Sequence, residues 1–289
     1  MHVRATEQAS TGSTQRVTAS RDPRIFHDGY SRDQSSISMI KYESPLRRLP
    51  PGIDRTQVLI LDGIRHAAEI ATLAYARLNA CLTEIALGQP EQTENEQHAA
   101  RVTGAYLDAW AIVDSIDRMR ALVRLLPADE ESSIKRAEQE GQLQGIRNLR
   151  NVADHLAQRL DYVAAHDSTA LGMLAWFTLI SADKGRSCLL LPGSFAGRVA
   201  AAVPNPAGKE FHPPTDFIEL SAGEHSASLS GAMRIAQSQV ESVERGIGRL
   251  VEQHGLHGKH MGADATLIID VEFHPDPMAS SSDGSVPGG

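Results

Sequence analysis

The sequence predicts an α+β protein in which helices come first and strands follow. Three segments between residues 56 and 163 carry apolar residues that step alternately by three and four, the signature of amphipathic helices. After about residue 168 the rhythm changes to short runs of aromatic and branched residues bounded by turn formers, the signature of strands. Elements segregated along the chain in this way build an α+β fold. Three long helices with short connections pack as an antiparallel bundle, and the remainder reads as a small mixed sheet with one helix.

The first helix runs from about 56 to 88, with Leu61, Ile64, Ala68, Ala71, Tyr75, Leu78, Leu82 and Ile85 on one face, and Gly88 and Pro90 stop it. In the second, Ala105, Ala109, Ile112, Ile116, Met119, Val123 and Leu126 repeat the spacing as far as Pro127. Asp129 is a cap for the third, whose later half carries Ile146, Leu149, Ala153, Leu156, Leu160 and Val163. Gly141 and Gly145 weaken its first half. Met173 to Ile180 and Ser187 to Leu191, joined through DKG, make a hairpin. Phe217 to Leu220 and Ser226 to Leu229 make a second. A helix through Met233, Ala236, Val240, Val243, Ile247 and Leu250 follows, then a last strand from Thr266 to Phe273.

These elements divide the chain. Residues 1–52, rich in Ser, Thr, Arg and Gln and ending in LPPG, read as a disordered or loosely attached tail. Residues 53–167 form the bundle, 168–274 a sheet module packed on it, and 275–289 a second disordered tail. The longest apolar run, ALGMLAWFTLI, is too short for a membrane-crossing helix, and no signal-peptide pattern opens the chain, so a cytoplasmic location is expected. Cys81 and Cys188 have no CxxC or metal-ligand spacing and are expected as free thiols.

Composition narrows the function classes. A net charge of −8 argues against a general nucleic-acid coat and leaves DNA without a binding surface. Between Ile112 and Leu160, however, eight basic residues balance eight acidic ones, so RNA would be met locally. His254, His257 and His260 lie among glycines without a carboxylate or thiol and read as a helix-end loop, so no metal or cofactor is expected. Ser194 in GSFAG lacks the spacing of a nucleophile elbow, and no GxGxxG, Walker or HExxH pattern occurs. Tyr106, Trp110, Trp176 and Phe177 sit at spacings that suit core packing better than base stacking.

One stretch carries specific chemistry. Residues 150–155 read RNVADH, with Arg150, Asn151 and His155 on the outer side of the third helix. The run IRNLRNVADHLAQRLDYV resembles the late helix of the HEPN superfamily, helical bundles marked by an RNxxxH motif. The resemblance covers about residues 55–165. It implies a twofold homodimer that faces two motifs across a groove, and metal-independent cleavage or binding of RNA. His155 would move protons, Arg150 would hold the phosphate through paired hydrogen bonds, and Asn151 would orient His155. Arg147 and Arg159 are the accompanying RNA contacts, and the 2′-OH as nucleophile restricts the chemistry to RNA. The residues leave a second reading open, a non-catalytic helical scaffold or adaptor with a protein partner, which includes a neutralising antitoxin. Asp114, Asp117 or Arg118 on the second helix is expected to decide between them, because an ion pair to Arg147 or Arg150 would occupy the phosphate binder.

Overall fold

A computed structural model describes residues 38–88, 96–155, 169, 171–193, 204–259 and 264–270. Among the described residues, five α-helices, a short 3-10 helix at Pro45–Arg47 and a four-stranded antiparallel sheet make up the α+β architecture, with four of the α-helices preceding the strands.

Helix α1, Arg55–Leu87, starts where the Asp54 carboxylate accepts hydrogen bonds from the backbone N–H of Thr56 and Gln57, and ends at Gly88. Helix α2 spans Glu96–Val123. Its contacts pair Arg77 with Asp108 and Glu84 with Arg101, so the two helices run antiparallel. Every residue expected on the buried face of α1 is buried except Ile85, which is half-buried. Tight helix contact is visible at Gly63, where an added Cβ would lie 2.7 Å from the Leu122 side chain.

The third helix is not continuous. It divides into α3, Glu130–Gln142, capped by Asp129, and α4, Gln144–Asp154. The division falls at Leu143, fully buried and placed between Gly141 and Gly145. The backbone N–H of Leu143 still donates to Gln139 and that of Arg147 to Leu143, so the break is a local kink at Leu143, whose ψ of 4° departs from the helical value. Just after it α4 packs closely on the sheet: a Cβ at Gly145 would stand 2.5 Å from the Ser226 carbonyl oxygen. The buried residues of α4 are Ile146, Leu149 and Val152, and Ala153 is exposed, which corrects the expected stripe by one position. Valine offers more apolar area than alanine and takes the inner place. Helix α4 ends at Asp154, and the expected continuation through Leu156, Leu160 and Val163 lies outside the described residues.

Strands β1, Met173–Ser181, and β2, Lys184–Leu190, form the first hairpin, and β3, Thr215–Ala222, and β4, His225–Ser228, the second. Their order is β2-β1-β3-β4, and every pairing is antiparallel, so the expected mixed sheet is corrected. Hairpin connections of two or so residues leave no room for the crossover that a parallel pair needs. Helix α5, Leu229–Gln253, follows directly from β4, with Ser228 as its cap.

The last expected strand is not formed over 264–270, and Leu267, Ile268 and Ile269 are exposed there. Strand-forming residues make a strand only beside a free edge, and this segment meets none. Residues 271–274 and the tail at 275–289 lie outside the described residues, as do residues 1–37. Of the expected N-terminal tail, residues 38–52 are described, and Met39, Ile40, Leu46 and Leu49 are buried in the core. One cluster of buried apolar residues runs from Met39 to Ile247 through both halves of the chain. Hydrogen bonds cross the same boundary, a buried one from Tyr106 Oη to the Leu190 carbonyl at 2.7 Å and a partly buried one from Asn79 Nδ2 to the Thr215 carbonyl at 2.6 Å. Both cysteines are free and half-buried. No helix among the described residues is long and apolar enough to cross a membrane.

Candidate functional site

The RNVADH stretch lies at the end of α4, beyond the kink at Leu143. With Ile146, Leu149 and Val152 turned inward, Arg147, Asn151 and His155 are exposed and Arg150 sits at the margin of the buried face. That margin lies against α2. The Arg150 Nη1 meets Asp114 Oδ1 at 2.5 Å, and its Nε donates to Asp154 Oδ1 at 3.2 Å. Asp114 is shared, since its other oxygen accepts from Arg118 at 2.8 Å. The result is a chain of alternating charge, Arg118–Asp114–Arg150–Asp154, laid along the α2–α4 contact. Burial alone would lower the Arg150 pKa, but the hydrogen bond to Asp154 and the charges of Asp114, Asp154 and Asp117 raise it above the ordinary arginine value.

His155 is the C-terminal cap of α4, exposed, with its backbone N–H directed at Ala153. A carboxylate, Asp154, precedes it. The structure therefore brings Arg150, Asn151 and His155 to one end of one helix but commits only Arg150, and it commits it to two carboxylates. Arg147 is exposed on the same helix, and Arg159 lies outside the described residues. No group of three or more His, Cys, Asp or Glu residues among the described ones could hold a metal ion, and of the three spaced histidines only His254 and His257 are described. Tyr106 and Trp176 are core residues, as their spacing predicts.

A second polar cluster escaped the sequence reading. Opposite Trp176 the β1–β3 register slips, and two residues of β3, Phe217 and Ile218, face one of β1. Phe217 takes up the bulge with φ of +54°, a left-handed conformation that a phenylalanine adopts only under strain. Alternation is broken there, so Thr215 and Asp216 are both buried in succession. Asp216 is 1% exposed. Its oxygens accept from the backbone N–H of Phe217 at 2.7 Å and of His212 at 3.0 Å, with His212 Nδ1 at 3.3 Å and Arg234 Nη1 at 3.6 Å. Burial would raise this carboxyl, but those N–H groups, the Ser230 hydroxyl and the Arg234 charge outweigh it and hold the pKa below the usual carboxylate range. Nearby, Tyr75 Oη and Ser230 Oγ share a hydrogen bond of 3.0 Å, and a cavity of about 330 Å³ opens between these residues and Asn79. Because Asp216 is already satisfied on both oxygens, its work is to fix the 212–217 turn. Nothing in the run HPPTDFIEL announces a bulge, so no sequence signal pointed to it.

No family model, no curated protein and no solved structure matches the chain.

Proposed function

We propose that this chain is a non-catalytic helical scaffold that assembles with a second copy of itself, and is not a ribonuclease of the RNxxxH type. The observation that carries this reading is the commitment of Arg150 to Asp114 and Asp154. Two carboxylates already paired with this guanidinium compete with a phosphate for it, and their charge repels the phosphate that would displace them. The assembly half of the proposal rests on α1. Leu59, Ile70 and Leu73 are 64%, 50% and 59% exposed on the face opposite the core. On the same helix, but round from that face, the buried Arg65 holds Asp264 through Nη1 to Oδ2 at 3.0 Å, which tethers the exposed Leu267, Ile268 and Ile269 within about 18 Å of chain.

The test is direct. Full-length protein is incubated with single-stranded RNA in chelator, alongside His155→Ala and Asp114→Asn. The expected outcome is no cleavage above buffer in any of the three. Cleavage by the parent chain that His155→Ala removes would overturn the reading.

A second reading, RNA binding without cleavage, is favoured by the exposure of Arg147, Asn151 and His155 together on α4. It requires affinity for RNA that falls steeply with salt and weakens in Arg147→Ala. Binding that is absent at low salt removes it.

A further inference from the structure

Away from α4, helices α3 and α5 touch where Gln139 Nε2 donates to Ser238 Oγ at 3.3 Å. Beyond that contact, a groove of about 520 Å³ opens between them. Its residues follow from helical spacing. Ser132, Lys135, Arg136 and Gln139 share one face of α3, and Gln239, Ser242, Val243 and Arg249 share one face of α5. The volume lies in the range of small-molecule sites, but the lining is mostly polar and charged, with Val123 and Val243 as its apolar side chains, so a ligand here would be held by charge and hydrogen bonds.

The floor holds an unmet acceptor. Gln239 is 4% exposed, lines the groove, and its Oε1 has no hydrogen-bond partner among the described residues. An isolated buried carbonyl loses its hydration without return, so a donor supplied from outside the chain would be held there.

The rim carries four cations, Lys135, Arg136, Arg245 and Arg249, against three carboxylates. Arg136 is occupied, donating to the Leu126 carbonyl at 2.7 Å and the Pro127 carbonyl at 3.2 Å, which fixes the turn at the end of the groove. Lys135, Arg245 and Arg249 make no hydrogen bond or ion pair among the described residues. Arg245 and Arg249 stand four apart on α5, an arrangement in which like charges repel and a shared anion removes the penalty. Glu131, Glu252 and Asp129 also line the groove. Asp129 caps α3 through the Ser132 N–H at 2.8 Å and is held below the usual carboxylate range by hydrogen bonds from the Ser132 side chain and N–H and, more weakly, by the charges of Arg249 and Arg136, so Lys135 and Arg245 are the cations least engaged. Two guanidinium groups and an ammonium suit an anion with several oxygens better than a single carboxylate.

We propose that the α3–α5 groove binds a phosphorylated small molecule of nucleoside monophosphate size, with its phosphate between Lys135, Arg245 and Arg249 and a hydrogen-bond donor on Gln239. This site is separate from the α4 stretch and does not depend on the scaffold reading.

Calorimetry and thermal melting of the full chain test it, with AMP, adenosine and inorganic phosphate as probes. AMP should bind and raise the melting temperature, with adenosine and inorganic phosphate each at least about tenfold weaker because each supplies one half of the recognition. The double variant Arg245→Gln/Arg249→Gln should weaken AMP by at least about tenfold. Gln239→Leu should weaken it similarly while the ligand-free protein melts no lower than the parent, since the change removes an unmet acceptor. The proposal is overturned if AMP fails to bind at about 5 mM, or if the double variant binds it as the parent does. A lower melting temperature for ligand-free Gln239→Leu would also overturn it, because Oε1 would then already have a partner within the chain.

Discussion

Asp216 and Arg150 are both charged groups held by several partners, and they differ in how much water they have given up. Asp216 is almost fully buried, so its hydrogen bonds replace hydration outright. Asp216→Asn keeps the shape but turns one acceptor into a donor aimed at N–H groups, and should cost roughly 1–3 kcal/mol in denaturant unfolding. The pH dependence has a definite sign. The folded carboxyl lies below the usual range and the unfolded one near about 3.9, so its stabilisation is complete above the unfolded value and disappears as pH falls through the folded one. Below about pH 4 the parent chain should therefore lose stability more steeply than Asp216→Asn. Parallel slopes for the two proteins would show that Asp216 is not perturbed. Arg150, by contrast, retains 31% exposure of its side chain, and water screens its pair with Asp114. Asp114→Asn should cost less than about 1 kcal/mol, so its RNA assay reads a folded protein.

At the scale of elements, α4 packs closely on β4 at Gly145, just after the kink, which makes a sharp prediction. Gly145→Ala gains helix propensity of up to about 1 kcal/mol, yet its Cβ meets the Ser226 carbonyl oxygen and the Ala227 side chain. Neither neighbour is a flexible chain end, so the steric cost of about 1–3 kcal/mol should dominate and the melting temperature should fall. A rise would mean that α4 and β4 are not in contact. The same element shows what a sequence can disclose. The centre of the buried face of α1 is legible because one period runs along the helix to a stop at Gly88, while Ile60, Arg65, Ala67, Ala74 and Ala86 at its margins are buried by packing that the period does not show. The hairpins are legible for a similar reason, since turn residues bracket the runs. In the third helix the glycines marked a weak place, but the close packing of Gly145 on β4, distant in sequence, was not readable from them. The bulge at Phe217 was not legible at all, because a residue in left-handed conformation is recognised from sequence only when it is Gly or Asn. Thr266–Asp270 misled in the opposite direction: it has strand-forming residues without an edge to join. For the candidate site, the residue types and their shared helix were readable from RNVADH, and Asp114 stood among the partners expected on the second helix; which of those meets which arginine is set by the packing of α2 on α4, which the sequence does not show.

The whole molecule folds around one apolar cluster to which the bundle, the sheet and residues 39–49 all contribute, so few apolar groups on α1 remain for the core to use. Of the large apolar residues of α1 that stay outside, Leu59, Ile70, Leu73 and Leu87, the first three share one face and are available for assembly. A helix of 33 residues is about 50 Å long, and a face about 10 Å wide along it presents on the order of 500 Å², on which Leu59, Ile70 and Leu73 alternate with the polar Asp62, His66 and Arg77. The Leu267–Ile269 segment adds apolar area, and together they approach the roughly 800 Å² of mixed surface per partner that a specific dimer buries. A twofold axis across α1 would cover the same residues on both copies, which a head-to-tail contact would not. Sedimentation of the parent chain at tens of micromolar should accordingly give about twice the mass of 31.2 kDa. Leu73→Glu places a charge in that contact and should shift the equilibrium toward the monomer by at least about 2 kcal/mol, through an unpaired buried carboxylate at the interface. Because Leu73 is outside the core, the variant should retain the parent's helical circular dichroism, so loss of assembly would not be loss of fold. A parent chain that sediments as a monomer at that concentration would leave the exposed face of α1 without a second copy and remove the assembly half of the proposed function.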